Sequence, residues 1–173
     1  YLRTFRESFP NCGVIAEEEN LRIEPKRGCT AYFTVDPLDG TKAFVRRQSH
    51  GISTMVALVD KGRVLSAYIG DVNAEEVYGF RPGSENVHRI TRLDTFERLN
   101  ELAPPDKSLF ETSALLRDPI DKYAPETQAL IGKFRTYEVM GSSIGTWSAR
   151  LWKREVGALC LDAGFATPWD DTP

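Results

Sequence analysis

Apolar positions in residues 1–105 fall mostly into short, β-rich runs, whereas in residues 106–173 such runs alternate with stretches of helical spacing. Tyr1–Phe9 has apolar residues at helical spacing and stops at Pro10-Asn-Cys-Gly13. Val14-Ile15 is a short strand that leads into Glu17-Glu18-Glu19, and residues 20–30 form a polar loop with Pro25 and Gly28. A strand ending at Val35 follows, then a helix beginning at Thr41. Ser53–Val59 and Val64–Ile69 are apolar runs joined by Asp60-Lys61-Gly62-Arg63, a hairpin signal. Glu76–Phe80 and Val87–Ile90 extend the meander, and Thr95–Leu102 reads as a short helix closed by Pro104-Pro105. Beyond it come a strand at Ser108–Leu116, a helix over Asp118–Phe134, a strand at Tyr137–Met140, a helix over Ser143–Glu155 and a strand at Ala158–Leu161. The expected fold is therefore α/β, with an antiparallel half followed by a strand–helix half.

Within this pattern, Phe33-Thr-Val-Asp-Pro-Leu-Asp-Gly-Thr-Lys-Ala-Phe44 concentrates candidate chemistry. Asp36 and Asp39 stand three apart at the end of an apolar strand, with Pro37 fixing one backbone angle and Gly40 allowing a tight turn. Two carboxylates held together repel unless a cation lies between them, and a hard divalent ion such as Mg²⁺ takes oxygen ligands. Backbone N–H groups at the helix start after Gly40 suit an anion such as phosphate. The same residues are also ordinary turn chemistry, and spacing alone leaves both readings standing. Acids recur after other strands: Glu17 to Glu19 after Val14-Ile15, Asp162 after Ala158–Leu161, and Asp170 after Trp169. Such recurrence is what a cation site assembled from separate segments shows. A solvated loop is the alternative for Glu17 to Glu19.

Gly141-Ser-Ser-Ile-Gly145 matches a Gly-x-Ser-x-Gly nucleophile elbow between a strand and a helix. In that fold the histidine follows the serine, but His50 and His88 both precede Ser143. A helix cap at Ser142 or Ser143, or a contact to an anion or hydroxyl, is the better expectation.

Composition narrows the class. With 41% hydrophobic and 27% charged residues over 173 positions, the chain reads as a globular protein large enough for a real core. A net charge of −3 argues against a nucleic-acid polymer or an anionic membrane as main partner. No apolar run reaches membrane-spanning length, so a cytoplasmic setting is expected. Cys12, Cys29 and Cys160 lack a Cys-x-x-Cys pattern and read as free thiols. The first helix lacks its beginning and Pro168–Pro173 starts a helix that does not arrive, so a fragment of a longer chain is expected.

Ala16-Glu-Glu-Glu19, Asp36-Pro-Leu-Asp-Gly-Thr41 and Pro168-Trp-Asp170 resemble, in order, the three signature segments of the inositol monophosphatase superfamily of Mg²⁺-dependent, lithium-sensitive phosphatases. The resemblance implies a layered α/β/α/β/α sandwich, its first sheet mainly antiparallel and its second mixed, forming one phosphatase core over 1–173, with N-terminal helices and a C-terminal segment missing. It implies hydrolysis of a phosphomonoester, an inositol monophosphate or sugar phosphate, by water activated on two or three Mg²⁺ ions. Glu17 matches the first-metal ligand that helps activate the water, with Thr41 sharing that water. Asp36 matches the residue bridging the metals, the Leu38 carbonyl a backbone ligand, Asp39 and Asp170 second-metal ligands, and Glu18 an acid some members use for a third ion. Gly40 and Thr41 match the phosphate-holding backbone, and Gly141, Ser142 and Ser143 a substrate-contacting stretch, as does Asp39. Asp162 lies near an acid that grips a sugar or inositol hydroxyl, one residue off the expected spacing to Asp170.

Ala16 replaces a common glycine, and Asp171-Thr-Pro173 ends the chain where the family continues into a helix. Lys42 makes the motif more like the 3′(2′),5′-bisphosphate nucleotidases, which act on 3′-phosphoadenosine 5′-phosphate. Arg46 and Arg47 could meet a second phosphate or form a solvated face. A catalytically idle metal-binding protein is the reading from another class, and Glu17 with Thr41 argues against it. The family is often dimeric, so a homodimer is a possible assembly.

Overall fold

The computed structural model describes residues 1–84, 86–92, 100–101, 108–141 and 143–161. Eight strands form one sheet: β1 (Gly13–Ala16), β2 (Leu21–Ile23), β3 (Ala31–Asp39), β4 (Ser53–Asp60), β5 (Arg63–Asp71), β6 (Glu76–Phe80), β7 (His88–Thr91) and β8 (Asn100–Glu101). They lie in the order β2-β1-β3-β4-β5-β6-β7-β8. Only β1 and β3 run parallel there; every other neighbouring pair is antiparallel. A second sheet, β10-β9-β11, contains β9 (Ser113–Leu116), β10 (Thr136–Val139) and β11 (Val156–Cys160), all parallel. The second sheet was expected to be mixed. The helix between β9 and β10, and the next one before β11, carry the chain back each time, which makes neighbours parallel.

Layering follows from which faces are apolar. Helix α1 (Leu2–Ser8) sets Leu2 and Phe5 against Val14 and Phe33, with the Phe5 and Phe33 rings stacked at 4.5 Å between centroids. On the opposite face of the large sheet, Met55, Ile69 and Tyr78 receive Ala149 and Trp152 of α4 (Ile144–Trp152). The other side of α4 gives Trp147 and Leu151 to Leu115 and Val156 of the small sheet. Its far face, through Ala114 and Leu116, packs on Ile131 of α3 (Pro125–Ile131). The order is helix, sheet, helix, sheet, helix: the α/β/α/β/α sandwich. α4 is the shared filling because its apolar residues occupy two stripes.

Four segments differ from the sequence expectation. Leu21–Ile23, inside the expected loop, pairs with β1 as an edge strand. Of Thr95–Leu102, the described residues Asn100–Glu101 pair with β7 as a strand rather than continuing a helix. The expected strand from Ser108 begins only at Ser113, after a 3₁₀ turn at Leu109–Glu111. The helix expected over Asp118–Phe134 is a 3₁₀ turn at Ile120–Lys122 and then α3, which restarts at Pro125. Pro125 has no N–H and forces Ala124 into an extended conformation (φ −60°, ψ 150°), so a continuous helix cannot pass. Cys12 and Cys29, distant in sequence, sit at the starts of β1 and β3 with Sγ atoms 4.0 Å apart as free thiols.

Candidate active site

The motif acids sit at the end of β3, where its pairing with β4 goes out of step. Asp36 faces Met55 and Asp39 faces Ser53, so three steps on β3 match two on β4. In a regular strand, residues three apart point to opposite faces. The extra residue of this bulge resets the alternation and turns both carboxylates to the face that packs on α4. Pro37 fits here because the irregularity removes the need for its missing N–H. Gly40 then adopts φ 86°, and a Cβ there would meet the Gly51 carbonyl oxygen at 2.1 Å. Glycine is required by both the angle and the space. Thr41–Val45 follows as a single short helical turn, α2.

A cleft of about 420 Å³ opens where β1, β3, β9 and β10 end beside the start of α4. Glu17, Asp36, Leu38, Asp39, Gly40, Thr41, and Gly141 all line it. Glu17 follows directly on β1, its N–H bonded to the Val35 carbonyl at 3.1 Å, so the parallel pairing of β1 with β3 sets it beside Asp36. Asp36 is 2% exposed and accepts the Leu38 N–H at 2.9 Å. Burial, then the hydrogen bond and charge of Glu17, push the Asp36 carboxyl up to about 8. Thr41 Oγ1 donates to the Leu38 carbonyl at 3.1 Å, which leaves the hydroxyl oxygen to act as an acceptor.

Glu18, on a 3₁₀ turn after Glu17, is exposed and does not line this cleft. Ser143, expected against substrate, turns inward instead. It is fully buried, its hydroxyl bonds Asp39, and it caps α4 by accepting the Thr146 N–H at 3.0 Å. That geometry fulfils the helix-cap expectation and removes Ser143 as a nucleophile. Ser142, Asp162 and Asp170 lie outside the described residues. Lys42 lines the cleft, whereas Arg46 and Arg47 are exposed and do not. Sequence reasoning missed Arg117 and Asp118, which line the cleft just beyond β9. The signal was their place at the carboxyl end of a parallel strand, where such sheets gather ligands.

The acidic side chains of Glu17, Asp36, Asp39 and Asp118 line one cleft with Leu38, an oxygen-rich set that suits a hard divalent cation. Among the described residues no three acids or histidines close into a ready-made cage. The Asp36 carboxyl, raised first by burial and then by its hydrogen bond and charge interaction with Glu17, is a group whose ionised form a cation in the cleft would favour.

The family model for the inositol monophosphatase family matches residues 1–101. Over 99 residues the chain is 30% identical to the 3′(2′),5′-bisphosphate nucleotidase CysQ of Haemophilus influenzae, a match covering 52% of this chain and 36% of that protein. Among solved structures, inositol monophosphatase II from Staphylococcus aureus superposes with TM-score 0.72 at 20% identity, covering 98% of this chain and 61% of that one. A dual-specific IMPase/NADP phosphatase bound with D-inositol-1-phosphate gives TM-score 0.68 at 20% identity, covering 98% and 61%. The chain thus spans about a third of the curated relative and about three-fifths of these solved chains. On the family match, with the fold and the motif cleft in agreement, this chain belongs to the inositol monophosphatase family.

Proposed function

We propose that this chain carries the catalytic cleft of a Mg²⁺-dependent phosphomonoesterase acting on a small phosphorylated metabolite. The observation that carries the reading is the convergence of Glu17, Asp36, Asp39, the Leu38 carbonyl and Thr41 on one cleft. Glu17, Asp36, Asp39 and Leu38 would hold the ions, with Asp170 as a further ligand; Glu18, exposed and off the cleft, is not part of this set. Mg²⁺ bound there supplies Lewis acidity that lowers the pKa of water and offsets charge on the leaving oxygen.

The chain's own groups do the rest. Thr41, its proton committed to Leu38, accepts a hydrogen bond from the attacking water and orients it, while Glu17 takes the water's proton. Gly40 and Thr41 hold the phosphate through backbone N–H groups. Displacement by water needs no covalent enzyme intermediate, in keeping with the buried, engaged Ser143.

A second reading, a nucleotidase cleaving a bisphosphorylated nucleoside, has its own support. Lys42 and Arg117 both line the cleft, and cations at that rim suit a second phosphate. The sequence relative named a bisphosphate nucleotidase points the same way. Phosphate release from an inositol monophosphate, fructose-1,6-bisphosphate and 3′-phosphoadenosine 5′-phosphate, with and without Mg²⁺ and with Li⁺ added, tests both. Mg²⁺-dependent, Li⁺-sensitive release is expected, and the preferred substrate selects the branch. No release from any of the three by a folded protein that binds Mg²⁺ would overturn both.

A further inference from the structure

Three donors from two other elements converge on a single oxygen of Asp39. Ser53 Oγ, at the start of β4, donates to Asp39 Oδ2 at 2.7 Å. The Gly145 N–H, in the first turn of α4, donates to the same oxygen at 2.7 Å. Ser143 Oγ, from the cap of α4, is the third donor, and Ser53 and Ser143 also touch each other at 2.8 Å. Both serines are fully buried, and Asp39 is 8% exposed. The cluster joins β3, β4 and α4 where the cleft opens, and none of its hydroxyls lines the cleft.

A buried serine pair has two simple uses: satisfying polar atoms in a core, or fixing a third group. The geometry favours the second. A carboxylate has two oxygens, each able to accept hydrogen bonds or to meet a cation. Here the three donors to Asp39 all meet at Oδ2, which fixes the plane of the group, and because Asp39 lines the cleft, Oδ1 is the oxygen left for a cation there. Gly145 belongs to the same device, since a Cβ there would lie 2.2 Å from Ser53 Oγ.

From this convergence we infer that Ser53 and Ser143 are positioning residues that pin Asp39 through Oδ2 and aim Oδ1 at a divalent cation in the cleft. The inference rests on the metal-dependent reading proposed above. Hydrogen-bond partners of a metal ligand set its orientation, and losing one typically weakens metal binding by about 10–100-fold.

The test is Mn²⁺ titration followed by EPR on the full-length protein: wild type, Ser53→Ala, Ser143→Ala, Ser143→Thr, Asp39→Asn and Asp36→Asn, with thermal melts alongside. The expected result is that Ser53→Ala and Ser143→Ala weaken the Asp39-dependent ion by about tenfold or more. Ser143→Thr, which keeps the hydroxyl, should restore it. Ser53→Ala combined with Asp39→Asn should bind no more weakly than Asp39→Asn alone. Unchanged Mn²⁺ isotherms in both alanine variants, with only lowered melting temperatures, would overturn the inference and leave the metal reading standing. A wild type that binds no Mn²⁺, or an Asp39→Asn that binds normally, would overturn the metal reading and the inference with it.

Discussion

Gly145→Ala sets two effects of known size against each other. Gly145 is the second residue of α4, where alanine is favoured over glycine by at most about 1 kcal/mol, the helix-interior value, so propensity alone predicts stabilisation. Packing predicts the reverse. The new Cβ would stand 2.2 Å from Ser53 Oγ, 2.9 Å from Met55 Sδ and 3.0 Å from Met55 Cγ, against 3.4–4 Å for ordinary contact. Ser53 and Met55 belong to β4, which is paired on both sides by β3 and β5, so relief must come from moving the start of α4. That movement strains the Gly145 N–H bond to the Asp39 carboxylate, a charge-assisted bond worth about 1.5–3 kcal/mol. Overpacking of this kind costs about 1–3 kcal/mol by itself.

Taking about 3 kcal/mol for the combined loss and subtracting about 1 for propensity leaves a net destabilisation of about 2 kcal/mol. For a chain of this length that lowers Tm by about 4–8 °C. Paired thermal and urea denaturation of wild type and Gly145→Ala reads it directly. Gly141→Ala is the control, since a Cβ there meets nothing within 4 Å. A Gly145→Ala variant as stable as wild type, or more so, would refute the packing argument and the close seating of α4 on β4.

Two further outcomes follow from the same geometry. Gly40→Ala combines a φ of 86° with a Cβ 2.1 Å from the Gly51 carbonyl oxygen, whereas Gly62→Ala meets a φ of 74° in open space. Urea denaturation should show Gly62→Ala costing about 1–2 kcal/mol and Gly40→Ala clearly more, because only the latter adds a backbone clash to the strain. Glu76 supplies a pH dependence: burial is the largest influence and pushes its carboxyl up, but Arg89 and Tyr78 together hold it below its ordinary value. Its stabilising contribution is therefore full above the ordinary glutamate value and is lost as pH falls through the lowered one. Glu76→Gln should flatten the acid limb of a stability–pH curve, and an unchanged limb would count against the Glu76–Arg89 pairing.

How much was legible in the sequence depended on whether the cause was local. The hairpin at Lys61-Gly62 was readable because both residues carry the positive φ that such a turn needs (49° and 74°). The Asp36–Asp39 motif was readable as chemistry, but the bulge that turns both acids to one face was not. That bulge appears only once β4 fixes the register. The break before Pro125 was marked in the sequence by the proline itself, although the expected helix over Asp118–Phe134 ran through it. Ser143 was assigned to substrate because its neighbours fit a family motif, while its bond to Asp39 depends on a contact across 104 positions. Arg117 was marked only by its place after a strand of the strand–helix half, and Ser53 carried no local signal, since nothing near it in the chain tells which carboxylate it meets. The part of the site assigned to Asp162 and Asp170 lies outside the described residues.

The most direct test of the central claim is Mg²⁺-dependent phosphate release by the full-length protein, wild type against Asp36→Asn. Asp36 is the most buried of the cleft acids and the one expected to bridge the ions, and the exchange keeps its size while removing its charge. The account predicts release by wild type that requires Mg²⁺ and is abolished in a folded Asp36→Asn. Undiminished turnover in that variant, or release by wild type without any divalent cation, would contradict it.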